Sequence, residues 1–86
     1  MIYKNYEILI VRSAVKSLKS IPNPYKNRIK QVIDDLPNNR STLNVKKLTA
    51  QPGYRIRVGV YRILYVVDSA EKTITIVAIK HRKDSY

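Results

Sequence analysis

Eighty-six residues make one domain, 1–86, able to fold alone but without the bulk to enclose a deep pocket around a large cofactor. Seventeen Lys and Arg against six Asp and Glu give a formal charge of +11, which costs self-repulsion and attracts polyanions, so a nucleic acid or an acidic protein is the expected partner. The absence of cysteine excludes disulfides and thiolate chemistry, and a single histidine speaks against zinc, so neither metal nor cofactor is expected and an intracellular, reducing compartment fits.

The opening MIYKNYEILIV has too short an apolar run, with Glu7 in it, to read as a signal peptide. No stretch approaches membrane-spanning length, and a cytoplasmic location is expected. Residues 6–11, YEILIV, read as a well-covered strand because no polar face survives beyond Glu7. Ser13 is placed to cap a short helix over 14–20, with Val15 and Leu18 three apart, before Pro22 interrupts. Asn23 and Pro24 then read as an N-cap and first-turn proline. Tyr25, Ile29, Val32, Ile33 and Leu36 follow on one helical face, opposite Lys26, Lys30 and Asp34, until Pro37 stops the helix. PNNRST, residues 37–42, reads as a loop.

The second half supplies a sheet for that apolar stripe to cover: VKKL at 45–48, YRIRV at 54–58, YRILYVVD at 61–68 and TITIVAIK at 73–80, with DSAEK at 68–72 joining the last two. The predicted fold class is α+β with order β-α-α-β-β-β(-β). It is a mainly antiparallel, twisted sheet with an N-terminal helical hairpin on one face and the other face partly open.

Within this sheet YRIRVGVYR, residues 54–62, gathers three arginines around one glycine. If Gly59 and Val60 form a type II′ turn, counting outward opposes Val58 to Tyr61 and Arg57 to Arg62. Alternation then puts Arg55, Arg57 and Arg62 on one face and Tyr54, Ile56, Val58 and Ile63 on the other. A half-exposed strand needs a polar face in any case. Like charges directly opposite, however, are destabilising by an amount within the roughly 0.2–1 kcal/mol range of cross-strand effects. The sequence offers no acid between Asp35 and Asp68 to offset them, and an anionic partner would. The end of the chain, KHRKDSY, adds Lys80 and Arg82 on one face of a continuing strand, with His81, Lys83 and Tyr86 nearby.

YRIRVGVYRILYVVD and HRKDSY together resemble the RelE/ParE toxin superfamily over nearly the whole chain. The first is similar to the family's paired central strands, which usually carry a Gly-Asp-Tyr-Arg turn. The second is similar to its His-Arg and terminal Tyr signature. The resemblance implies a RelE-like toxin of a type II toxin–antitoxin system, a metal-independent, ribosome-dependent endonuclease that inhibits translation. Messenger RNA in the A site is cut by attack of its own 2′-OH, leaving a cyclic phosphate. It also implies a cognate acidic or amphipathic antitoxin.

Carried over by position, Arg55 and Arg57 stand where RelE members have lysines, and Arg62 matches the arginine after the turn. Arg82 and Tyr86 match the C-terminal pair, although counting back from a more distant tyrosine would select Lys80 in place of Arg82. The resemblance thus makes Arg55, Arg57, Arg62, Arg82 and Tyr86 the catalytic candidates, with Lys46, Lys47, Arg55, Arg57, Lys80 and Lys83 expected to bind RNA. Arginine clamps phosphate well but is a poor proton acceptor, so the base is sought at His81, at Tyr86 or in the ribosome. Val60 replaces the usual turn aspartate, which leaves this patch more positive. Two other readings stand beside this one: a ParE-like inhibitor of DNA gyrase, and a nucleic-acid-binding module without catalysis.

Overall fold

The computed structural model describes residues 4–38 and 45–85. Strand β1 (Glu7–Ile10) leads into helices α1 (Arg12–Ser20) and α2 (Tyr25–Asp35). Strands β2 (Val45–Lys47), β3 (Tyr54–Val58), β4 (Tyr61–Asp68) and β5 (Thr73–His81) follow, and a terminal 3-10 helix spans Arg82–Ser85. The five strands form one sheet in the order β1-β5-β4-β3-β2. Strands β2 to β5 are the expected antiparallel meander. Strand β1 joins β5 in parallel, Glu7 opposite Thr73, a long-range pairing that alternation alone does not encode.

Ile29 and Ile33 of α2 and Leu36 at its C-cap meet Ile56 and Val58 of β3, Ile63 and Tyr65 of β4, and Ile74, Ile76 and Ile79 of β5 in one buried core. Burying each isoleucine is worth roughly 1.5–3 kcal/mol. A bulge where Leu64/Tyr65 face β5 shifts the register by one residue, so that Leu64 pairs with Ala78 but Tyr65 with Ile76. The extra residue, Val77, lies exposed, and Ile76 and Ile79 both reach the core in spite of their odd spacing.

Four expectations are corrected. Strand β1 is an edge strand, not a well-covered one: it pairs with β5 alone, and Leu9 and Ile10 remain 44% and 37% exposed. Ser13 does not cap α1. Val11 takes the cap position without a side-chain bond; its N–H donates to Ile76 O (3.1 Å) while its carbonyl accepts from Ala14 and Val15, so the helix starts directly from the sheet. Asn23 and Pro24 do not act as N-cap and first-turn residue. The Asn23–Pro24 peptide is cis, and Pro24, one residue later than expected, is the cap, its carbonyl accepting from Arg28 N–H (3.1 Å).

Finally, β5 does not continue through Arg82; it stops at His81 and turns into the 3-10 helix. The chain leaves the ladder there because Arg82 N–H donates to Val60 O (2.7 Å), in the neighbouring turn. The expected loop at 37–42 begins as a turn at Pro37 and Asn38, and its remainder lies outside the described residues. At the far end of the sheet, Asp68 Oδ1 accepts from Glu71 N–H (3.1 Å) and organises the β4–β5 turn. Among the described residues, no helix is long and apolar enough to cross a membrane.

Candidate RNA-phosphate site

The β3–β4 hairpin has the register that counting through Gly59 and Val60 predicts: Val58 opposes Tyr61 and Arg57 opposes Arg62. Gly59 carries the positive φ of +61°, which an L-residue with a side chain adopts at a cost of roughly 1–2 kcal/mol. Space reinforces this requirement. A Cβ on Gly59 would stand 2.9 Å from Cε1 of Tyr25, the first residue of α2, whose ring lies against the turn. Tyr25 also meets the Tyr61 ring at 5.6 Å, tilted by 56°, and has the Arg28 guanidinium 6.0 Å from its centroid. The N-terminus of α2 thus braces the turn from the helix side.

On the open side, Arg57, Arg62 and Lys80 form one row across β3, β4 and β5. A shallow cleft of about 200 Å³ lies at its end, lined by Arg57, Gly59, Val60, Tyr61, Arg62 and Arg82. Arg57 and Arg82 are exposed and Arg62 is half-buried. Arg82 arrives here although the strand has ended, because its N–H bond to Val60 ties the start of the 3-10 helix to the hairpin turn. Three guanidiniums around an open concavity of this size suit a tetrahedral oxyanion, which accepts several charge-assisted hydrogen bonds at once.

The remaining candidates sort by the geometry of the sheet. Arg55 shares the face of Arg57, as expected, but is opposite Leu64 and Lys46 and does not line the cleft. Arg55 and Lys46 extend the positive surface towards the β2 edge. Lys47 pairs with Tyr54, so alternation sends it to the other face. Lys83 follows Arg82 on the exposed 3-10 helix. His81 is separated from the arginines: it pairs with Tyr61, meets that ring edge-on at 5.3 Å and 86°, and lines a second cleft with Ser17, Ser20, Ile21, Tyr61 and Ile79. Tyr86 lies outside the described residues.

Tyr25, expected on the apolar face of α2, and Tyr61, expected only as the partner of Val58, prove to be a ring pair beside the turn. Tyr25's position at the head of α2 is legible, but its contact with Gly59 depends on how helix and sheet pack. Among the described residues, no group of three or more His, Cys, Asp or Glu is placed to hold a metal ion.

A family model described as the ParE toxin of the type II toxin–antitoxin system parDE matches residues 8–86. The toxin RelE3 of Methanocaldococcus jannaschii is 36% identical over 85 residues, which span 93% of this chain and 94% of that protein. Among solved structures, the archaeal RelE–RelB complex from Pyrococcus horikoshii superposes with a TM-score of 0.77 at 32% identity, covering 90% of this chain and 94% of that one. The RelB–RelE antitoxin–toxin complex from Methanococcus jannaschii gives 0.75 at 36%, covering 88% and 92%. With the fold, the arginine hairpin and these matches in agreement, the chain belongs to the RelE/ParE superfamily of type II toxin–antitoxin toxins.

Proposed function

We propose that this toxin is a ribosome-dependent endoribonuclease that cuts messenger RNA without a metal ion. The observation that carries the reading is the convergence of Arg57, Arg62 and Arg82 on one open cleft, which can neutralise a scissile phosphate and the extra charge of its phosphorane. The message's 2′-oxygen attacks phosphorus, the bond to the 5′-oxygen breaks, that oxygen takes a proton from solvent or a group of the ribosome, and a 2′,3′-cyclic phosphate and a free 5′-hydroxyl result. Arg57 and Arg62 hold the phosphate oxygens, Arg82 stabilises the transition state, and Arg55, Lys46 and Lys80 guide the flanking backbone. Tyr86 stacks on a base or assists proton transfer. The 2′-OH proton goes to Tyr86 or to a group of the ribosome, since guanidinium does not accept it. Cytoplasmic action follows from a ribosomal target.

The partner that restrains it is a cognate antitoxin, as the RelE–RelB complexes of its relatives support. An acidic, amphipathic segment suits a surface that offers both a row of cations and the exposed apolar Leu9 and Val77, and steering by charge makes its association salt-sensitive. The ParE description of the family model keeps gyrase inhibition as the second reading.

The test is a translation reaction with purified protein, with and without ribosomes, mapped by primer extension. Cleaved message that requires ribosomes supports the nuclease. Intact message with gyrase-dependent DNA breaks supports the second reading, and binding to RNA without cleavage on translating ribosomes reduces the cleft to a binding site.

A further inference from the structure

His81 is the last residue of β5 and sits immediately before the 3-10 helix that carries Arg82. Its ring is half-buried on the helix side, edge-on to Tyr61, beside Ser17, Ser20 and Ile21 of the α1 end. Its Nδ1 is engaged: Lys83 N–H donates to it at 3.1 Å. A helix start leaves its first N–H groups without partners inside the helix, and a side-chain acceptor one position before the helix satisfies the second or third of them. His81, Arg82 and Lys83 stand in that relation, with imidazole in place of the usual Ser, Asp or Asn.

Two consequences follow from the bond. A neutral imidazole has a single acceptor nitrogen; with Nδ1 accepting from Lys83, the proton is on Nε2 and no lone pair remains to take a proton from RNA. The bond also fixes the backbone around Arg82. That residue is held on one side by its own N–H to Val60 O (2.7 Å) and on the other by the Lys83–His81 bond, and it lines the cleft with Arg57 and Arg62.

We propose that His81 is a positioning residue, a side-chain cap that sets Arg82 into the arginine cleft, and not the proton acceptor of the reaction. This rests on the reading of that cleft as the phosphate site. Tyr61 links the two sides, since it lines both clefts and its ring meets the imidazole edge-on.

The test uses His81→Asn, whose side-chain oxygen falls near the position of Nδ1, and His81→Gln, whose amide falls near Nε2. Amide hydrogen exchange at Arg82 and Lys83 is read in the free protein, and single-turnover message cleavage is read on ribosomes. His81→Asn should keep Lys83 protected and retain most of the cleavage rate. His81→Gln should speed Lys83 exchange and slow cleavage by roughly 3- to 30-fold, the range that corresponds to loss of a helix cap, with the half-saturating concentration little changed. Loss of cleavage in His81→Asn with Lys83 still protected would show that the imidazole acts chemically and overturn the proposal. So would equal Lys83 exchange in wild type and His81→Gln, whatever the cleavage assay gives. A wild-type protein that cuts nothing on ribosomes brings down the nuclease reading instead, while the exchange comparison still decides the cap. Thermal melts of both variants identify any that fail to fold.

Discussion

Two clefts of about 200 Å³ each flank the same strand ends, share Tyr61, and differ in chemistry. One collects Arg57, Arg62 and Arg82 around the Gly59–Val60 turn. The other, on the helix side, collects Ser17, Ser20, Ile21, Ile79 and His81. Strand alternation causes the division: Arg62 and Lys80 pair on the open face while Ile63 and Ile79 pair in the core. The comparison teaches that neighbours in sequence do different work here. The cations lie on the open side, where the proposed phosphate chemistry would take place, and residues that pack against the hairpin turn and the strand end lie one position away on the other.

Ways to break that division are ordered by the size of their effect. Ile63→Ala removes a side chain with no exposed surface, at the centre of the helix-side packing, and should lower unfolding free energy by about 2–5 kcal/mol in urea titration. Arg62→Ala, at a half-buried position, should lower urea stability by less than Ile63→Ala but slow ribosome-dependent cleavage by roughly 10²- to 10³-fold, the loss typical of an oxyanion donor. A small effect on cleavage would remove Arg62 from the phosphate site. Gly59→Ala acts on both sides, since its φ of +61° and the Tyr25 ring both oppose a Cβ. It should cost about 1–2 kcal/mol in melting experiments and reduce cleavage by misplacing Arg57 and Arg62. Leu9→Ser, on the exposed β1 edge, should change stability by no more than about 0.5 kcal/mol yet weaken antitoxin binding in titration calorimetry.

The hairpin was legible because its register needs only a turn and a count. Gly59 fixed the first, and the oppositions Arg57–Arg62 and Val58–Tyr61 followed. The apolar face of α2 was equally legible, since Ile29, Ile33 and Leu36 recur at helical spacing and all three are buried. Two things were not. The apolar run of β1 reports that a strand forms, but not that it takes an edge beside β5. The strand end at His81 is set by a bond from Arg82 to Val60, between separate chain segments, and by a local bond from Lys83 N–H to the His81 imidazole, and residue order announces neither. A strand extrapolated through 82 put Arg82 beside Lys80 on one face; the 3-10 helix brings it to the arginine cleft by another path.

The most direct measurement is single-turnover cleavage of ribosome-bound message by wild type, Arg82→Ala and Lys19→Ala, the last removing an equal charge from the exposed surface of α1. A phosphate site built from the hairpin and the 3-10 helix predicts that Arg82→Ala loses roughly 10²- to 10³-fold and Lys19→Ala stays near wild type. Equal, small losses in both would reduce the arginine cleft to a share of the net charge and contradict its role in holding the scissile phosphate.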